Sequence, residues 1–454
     1  MSTADTPPIE KAAGVPLRWL TKFSGSDVAI RLGLNQPAQW LLYRGAKQSM
    51  RAAAKAADVF ADGKKNKNSK DKKLVEAARL EKPKKPSLFD LTPTEDQQMV
   101  RDTMRRFADD VLRKAAEAAD EAATAPAEIL QQSHELGITL MAIPDELGGA
   151  AEERSPLSNA LIIEELARGD MGLALAILAP HAVATALVDW GTAEQQATYL
   201  PAFADDNFVP AAMALLEPAP MSDPSRPQTG AVRADDGGWL IHGEKSMVPL
   251  GETARLFLVG ANILGAGPRL FLVERETEGL TVTADPTMGL RSAGLCKLTF
   301  DGVKVSADAL IGEPGREGFD FNAVVERARV AWCAMAVGGC QAVLEYVAEY
   351  VNDRQAFGEP ISNRQSVAFL VADIALELEG MRLLMYQAAS RAEKGKDIKR
   401  ESFLARMLCA SKAMQIGTNG VQLLGGHGFV KDHPVERWYR HLRGVGIYEG
   451  GLLI

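Results

Sequence analysis

Cysteine is scarce. Cys296, Cys333, Cys340 and Cys409 are all the chain has, with no CxxC and no histidines at zinc-ligand spacing. A structural zinc site draws on four closely spaced ligands, and a disulfide scaffold on many paired cysteines. Both are excluded, no metal is expected, and a reducing compartment is. Apolar runs look short as well: none is expected to reach the roughly eighteen residues of a membrane span. The first residues lack the apolar stretch of a secretory signal, and Asp5 and Glu10 make a poor mitochondrial transit peptide. Missing too is a G-x-G-x-x-G after a strand, so a Rossmann chain is excluded. No internal repeat is visible. The expected location is cytoplasmic, of the bacterial type.

What remains is an ordinary globular composition, 46% hydrophobic and 24% charged, in 454 residues. That length suffices for two to four domains or one multi-lobed unit. The net charge of −8 hides an asymmetry: residues 1–90 hold 18 Lys/Arg against 9 Asp/Glu, so this segment is +9 and the remainder −17. A basic arm on an acidic body suggests an anionic partner for the arm, or a solvated tether. Residues 1–60 carry Trp19, Leu20, Trp40, Leu41, Leu42 and Tyr43 among basic residues at helical period. This is the composition of an interfacial amphipathic helix, with peripheral attachment at an inner membrane as one outcome. Docking on the body or on a second subunit is the other. Nucleic acid is not expected, because no RNA or DNA motif accompanies the aromatics. Residues 61–87 are lysine-rich and proline-punctuated, a linker.

The body is expected to open at "LTPTEDQQMV", with Thr92 as N-cap, Pro93 at the first helical position and Glu95 completing a capping box. Alanine-rich helices then run through 88–205. Over 206–316 the period changes: "GWLIHGEK", "ARLFLVGAN", "PRLFLVERE", "GLTVTADP" and "CKLTFDGVKV" read as strands of a compact antiparallel β domain. Residues 317–454 return to helices, over 320–353, 364–394, 400–424 and from about 434. The class is α+β. Near the end, "IYEGGLLI" holds one carboxylate, Glu449, in an apolar stretch. Such a group is costly unless paired, exposed or functional.

Several segments keep a shared order and spacing: "MAIPDELGG" (141–149), "MGLRSAGLCKLTFDGVKVSADALIGEPGREGF" (288–319), "RQAFGEPISNRQ" (354–365), "QLLGGHGFVKDHPVERWYR" (422–440) and "IYEGG" (447–451). Together they resemble the acyl-CoA dehydrogenase family of flavoproteins, from about Leu88 onward. The resemblance implies a helical domain, a middle β domain and a four-helix bundle, assembled as a homodimer or homotetramer. It implies FAD, an acyl-CoA substrate of fatty-acid β-oxidation, and an electron-transfer flavoprotein as acceptor. The α-proton of a thioester is only weakly acidic, so the chemistry needs a base at that carbon and donors for the carbonyl oxygen. Glu449 matches the family's commonest base and the Gly450 region its carbonyl contact, with desolvation expected to tune the carboxyl. Ala328 stands at the alternative base position and cannot take a proton. Glu326, Arg329 and Ser222 match CoA contacts. Arg354, Phe357 and Gln365 match FAD contacts supplied by a neighbouring subunit, and Gln422, Gly425 and Gly426 a turn beside the dinucleotide.

The match breaks at the flavin-facing β wall. Leu216 replaces a hydroxyl residue, Met247 a tryptophan, and Pro249 the threonine that bonds the flavin N5. Proline has neither hydroxyl nor N–H. An FAD-dependent α,β-dehydrogenase with Glu449 as base is therefore weighed against two alternatives. One is a non-catalytic, flavin-poor partner subunit or CoA-ester-binding protein, and the other a flavin oxidase on the same fold.

Overall fold

A computed structural model divides the chain into two units, residues 1–88 and 89–454. It describes residues 92–454 apart from 152–153, 220–221 and 312–318. The basic arm and the linker lie outside the described residues.

Helix α1 (Glu95–Phe107) starts two residues later than expected. Thr94 Oγ1 accepts the Gln97 N–H at 3.2 Å, and Gln97 Oε1 accepts the Thr94 N–H at 3.1 Å. The reciprocal box is present, with Thr94 and Gln97 in the roles expected of Thr92 and Glu95. A π-helical turn, Ala108–Leu112, leads into α2 (Arg113–Ala122), followed by α3 (Ala127–Glu135), α4 (Pro156–Gly169), α5 (Met171–Trp190) and α6 (Ala193–Tyr199). Helix α5 corrects the reading of apolar runs. By length and composition it could cross a membrane, as could the helix Phe321–Asp353. Both are buried within the fold, and a helix that is apolar all round belongs in a core as readily as in a bilayer.

Eight strands follow: β1 (Ala211–Ala214), β2 (Gly230–Arg233), β3 (Trp239–Val248), β4 (Leu256–Ile263), β5 (Gly267–Glu274), β6 (Leu280–Ala284), β7 (Cys296–Val305) and β8 (Leu310–Ile311). They form one sheet in the order β6-β7-β3-β2-β4-β5-β8, with β1 also on β4. Most pairs are antiparallel, but β1 and β2 both join β4 in parallel. Strand β1 reads Ala-Ala-Met-Ala and is buried throughout. Its composition has little β propensity, and it alternates nothing, as strands buried on both faces do not.

The last layer is a bundle of α7 (Phe321–Asp353), α8 (Gln365–Glu393), α9 (Lys399–Leu424) and α10 (Val435–Gly444). Helix α7 runs through its middle and packs on α4, α8, α9 and α10. A Cβ at Gly338 would stand 2.1 Å from the Glu164 carbonyl oxygen, so the α7–α4 crossing needs glycine there. All four cysteines are free and buried.

One buried carboxylate joins the three layers. Asp170 caps α5, accepting the Gly172 and Leu173 N–H groups at 3.0 Å. Ser292, in the turn before β7, donates to it at 3.2 Å, and His441 Nε2 on α10 lies 3.2 Å away. His441 Nδ1 accepts the Leu290 N–H at 2.8 Å, so the hydrogen sits on Nε2, facing Asp170. Arg437 Nε is 3.5 Å from the same carboxylate. Burial alone would raise the Asp170 pKa, but His441, the Leu173 N–H and Arg437 outweigh it and hold the group below its ordinary 3.8. A depressed folded-state pKa gives stability that is present above pH 3.8 and lost as pH falls through the folded value. Removing one partner of such a cluster costs about 3–5 kcal/mol. Asp170→Ala should therefore lower the thermal midpoint markedly at pH 7, and its midpoint should fall less steeply than the wild type's in acid below pH 3.8, as followed by circular dichroism.

Candidate active site

Helix α10 ends at Gly444, whose carbonyl accepts the Ile447 and Tyr448 N–H groups at 2.9 and 2.8 Å. This turn projects Glu449 toward α7. The carboxylate is paired: Arg329 Nε lies 2.9 Å from Oε2 and Arg329 Nη2 3.4 Å from Oε1. Arg406 Nε is 3.7 Å from Oε1. Paired is thus the answer to the cost of a carboxylate in this apolar stretch, and its surroundings are cationic instead of purely apolar. Arg406, buried on α9, also donates to the Tyr448 carbonyl at 2.9 Å and to the Val445 carbonyl. It ties the loop down at three points. Ala328, at the alternative base position, is buried.

Tyr448 and Gly450 carry the loop to the β domain. The Tyr448 ring stacks on Trp332 at 4.4 Å, and its hydroxyl donates to the Met247 carbonyl. Trp332 Nε1 donates to the Gly450 carbonyl at 2.7 Å. At φ +84°, Gly450 lies so close to Leu215 that a Cβ would come within 2.7 Å of the Leu215 Cβ, so only glycine fits.

The facing wall is built from Leu215–Glu217 and the end of β3. Lys245 Nζ, fully buried, sits 2.9 Å from Glu217 Oε1 and donates to the Leu215 carbonyl at 3.1 Å. Burial pushes the Lys245 pKa down to about 8 in spite of Glu217. Glu217 also accepts the Gln228 and Thr229 N–H groups at 2.8 Å. This pair fixes Leu216, whose carbonyl accepts the Ser246 N–H at 2.9 Å. Met247 takes a left-handed φ of +50°, with its N–H donated to Asp285 at 2.9 Å. Leu216 and Pro249 are buried beside it. The wall therefore offers packing, and Leu216 and Pro249 bring no hydroxyl.

A different hollow, of about 390 Å³, gathers Arg354, Gln422, Gly425, Gly426, Tyr350 and His427. Neither Gly425, at φ +58°, nor Gly426 has an atom within 4 Å of where a Cβ would stand, so backbone lies open to the space. Tyr350 Oη is 2.8 Å from His427 Nδ1. A guanidinium fork beside two unshielded glycines fits a diphosphate. The residues present thus fit the diphosphate end of FAD, and fit its ring end by packing alone. Phe357 and Gln365 do not line this hollow: Phe357 is exposed at φ +56° beneath the Arg364 guanidinium, and Gln365 is exposed at the start of α8.

A third hollow, of about 550 Å³, lies behind Glu449. Arg329 and Glu326 line it, together with Ser225, Lys399 and Arg400, which sequence reasoning missed. Ser222 is three residues from Ser225 but is not among its lining residues. Burial, Asp397 and Asp320 raise the Glu326 pKa. Arg406, Trp332 and Tyr448 were missed as well; a lone arginine in the apolar stretch "FLARMLCA" was the available signal for Arg406.

Sequence models of three acyl-CoA dehydrogenase domains match the chain: the N-terminal domain over 94–207, the middle domain over 212–303 and the C-terminal domain over 320–452. A probable acyl-CoA dehydrogenase, FadE25, of Mycobacterium tuberculosis is 33% identical over 374 residues, covering 80% of this chain and 94% of its own. The solved butyryl-CoA dehydrogenase of Megasphaera elsdenii superposes with a TM-score of 0.73 at 29% identity, covering 80% and 96%. A glutaryl-CoA dehydrogenase of Mycobacterium smegmatis, in complex with FADH2, gives 0.71 at 26%, covering 79% and 92%.

The buried pair behind the wall yields a direct test. Glu217→Gln leaves the Lys245 ammonium without its counter-charge and should cost about 3–5 kcal/mol. Chemical denaturation would read this as a lower midpoint, and an unchanged midpoint would show that the pair does not brace the wall.

Proposed function

Because the chain belongs to the acyl-CoA dehydrogenase family of FAD-dependent oxidoreductases, we propose that it desaturates an acyl-CoA thioester with Glu449 as the base. One observation carries this reading: Glu449 lies on the loop whose neighbours, Tyr448 and Gly450, touch the flavin-facing wall at Met247 and Leu215. In that position the carboxylate takes the α-proton while the β-hydrogen leaves with two electrons, forming the α,β double bond. Bound FAD supplies the acceptor for that hydride. Arg354, Gln422, Gly425 and Gly426 would hold its diphosphate, and Leu216, Met247 and Pro249 would pack on its ring. The Trp332–Tyr448 stack fills the space behind Gly450, which favours short acyl groups. An electron-transfer flavoprotein is the proposed acceptor.

A homo-oligomer is part of the proposal. The diphosphate hollow and the flavin-facing wall share no residue. Helices α8 and α9 expose Phe369, Leu376, Leu383, Phe403 and Met407. Contiguous exposed apolar residues of this size suit a protein interface. A second copy seated there would bring its Arg354, Phe357 and Gln365 to the first copy's wall.

A second reading is favoured by the contacts that close the loop on the wall, and by the missing hydroxyls at 216 and 249. It is a CoA-ester-binding family member without turnover. The purified protein should show a flavin spectrum that bleaches anaerobically with a short acyl-CoA. In Glu449→Gln the spectrum should persist while bleaching slows by about 10²–10⁴-fold, the usual weight of a general base. Unimpaired desaturation in that variant would refute the assignment. A protein that stays colourless with added FAD would make the second reading correct.

A further inference from the structure

Arg329 faces two ways. Its guanidinium grips Glu449 through Nε at 2.9 Å and Nη2 at 3.4 Å. The same side chain, about a quarter exposed, lines the 550 Å³ hollow with Lys399 and Arg400. Asn322 and Ser225 add polar groups there, and Glu326 and Asp397 leave the lining with one net positive charge. Burial, Asp397 and Asp320 raise the Glu326 pKa, the mark of an acid-crowded spot that gains from an arriving cation or a lost proton-free form. The three cations are the groups a phosphate would find. A phosphate offers a guanidinium two-point contacts of the kind Glu449 now provides, with more charge behind them. Glu449 would not be set adrift by losing Arg329, since Arg406 remains 3.7 Å away and holds the Tyr448 carbonyl.

We propose that Arg329 is a substrate-released latch: it holds Glu449 until the phosphates of a CoA ester enter the adjoining hollow, then turns to them and frees the carboxylate. This rests on the reading of Glu449 as the base. Arg329 is a positioning residue in this scheme, and proton abstraction is coupled to occupancy of a site beside the reacting carbon. The device keeps the base engaged until the substrate's nucleotide end has docked. No bond is made or broken at Arg329; one ion pair is exchanged for another.

Coupling of this kind is reciprocal. If phosphate must draw Arg329 away from Glu449, then removing the Glu449 charge must tighten phosphate binding through Arg329. Free CoA is the probe, titrated calorimetrically into the full chain, with pantetheine as the control that lacks phosphates. Glu449→Gln should tighten CoA binding about five- to tenfold, at the lower end of ordinary coupling. Arg329→Gln should weaken it, and Glu449→Gln added to Arg329→Gln should change nothing further. Should Arg329→Gln fail to fold, Arg329→Lys serves the same cycle, since it cannot grip Glu449 at two points and should reduce the coupling below twofold.

Three results overturn the latch: CoA affinity unchanged in Glu449→Gln, a gain that persists without Arg329 and so reflects plain charge repulsion, or no CoA binding by either protein. Pantetheine showing the same gain as CoA would overturn it too. The base assignment fails separately, through a Glu449→Gln protein that still desaturates. A Glu449→Gln protein that is inactive but binds CoA unchanged would sink the latch alone.

Discussion

The structure turns on a carboxylate that no solvent reaches. Asp170 holds the first turn of α5, the Ser292 turn of the β domain, and His441 and Arg437 of α10. An ionised carboxyl in such a place is costly until every lone pair is used. Here two backbone N–H groups, a hydroxyl, an imidazole and a guanidinium use them. Satisfying the charge therefore requires that three layers meet in one register. Helix α10 leads directly into the turn at Gly444, so the same constraint fixes where Glu449 emerges.

The pattern recurs wherever layers meet. Glu164 on α4 takes Arg382 at 3.0 Å and the Tyr386 hydroxyl at 2.7 Å, both from α8. Arg168 bonds Glu345 on α7 at 3.0 Å. Asp189, at the end of α5, is shared by Arg154 and by Arg327 of α7. Apolar packing holds these helices together, but it is tolerant of small slips, whereas a buried ion pair is not. On this view the pairs add little net stability and a good deal of register. Glu449 with Arg329 and Arg406 has the same construction, moved to where a ligand can reach it.

Local signals made much of this fold legible. The long helices over 320–353 and 400–424 and the strands from "GWLIHGEK" to "CKLTFDGVKV" needed only periodicity and turn residues. The true cap at Thr94 sits beside the expected one because "TPTEDQ" offers two threonines, each followed three residues later by a side chain able to reach back. Strand β1 escaped notice because alanine carries no strand signal, and α5 because its apolar length was undercounted. The site divides in the same way. Glu449, Arg354 and the Gly425–Gly426 turn stand in short recognisable segments. What holds Glu449 does not: Arg329 is 120 residues away in sequence, and nothing local marks the two as partners. Trp332 looks like core and is core, while also bonding the Gly450 carbonyl.

The pairing of Glu449 bears on how its chemistry must be arranged. A base has to present an oxygen lone pair to carbon, and Arg329 occupies that edge of the carboxylate. Both partners are partly exposed, so their attraction is of the modest size typical of solvated pairs, about 0–1 kcal/mol. A general base is worth about 10²–10⁴ in rate, several times that energy. Breaking the pair is thus a small term beside what the free carboxylate contributes, provided substrate binding does the breaking. The β wall obeys similar arithmetic. A neutral hydrogen bond is worth about 0.5–1.5 kcal/mol net, and burying an aliphatic side chain about 1.5–3 kcal/mol. Leu216 and Pro249 can therefore offset in ring packing what they lose in hydrogen bonds. What packing cannot replace is direction, since it leaves the ring free to slide where a hydroxyl would have fixed it. Alignment of ring and substrate then falls to the loop opposite, where Arg406, Trp332 and Tyr448 hold the backbone on either side of Glu449.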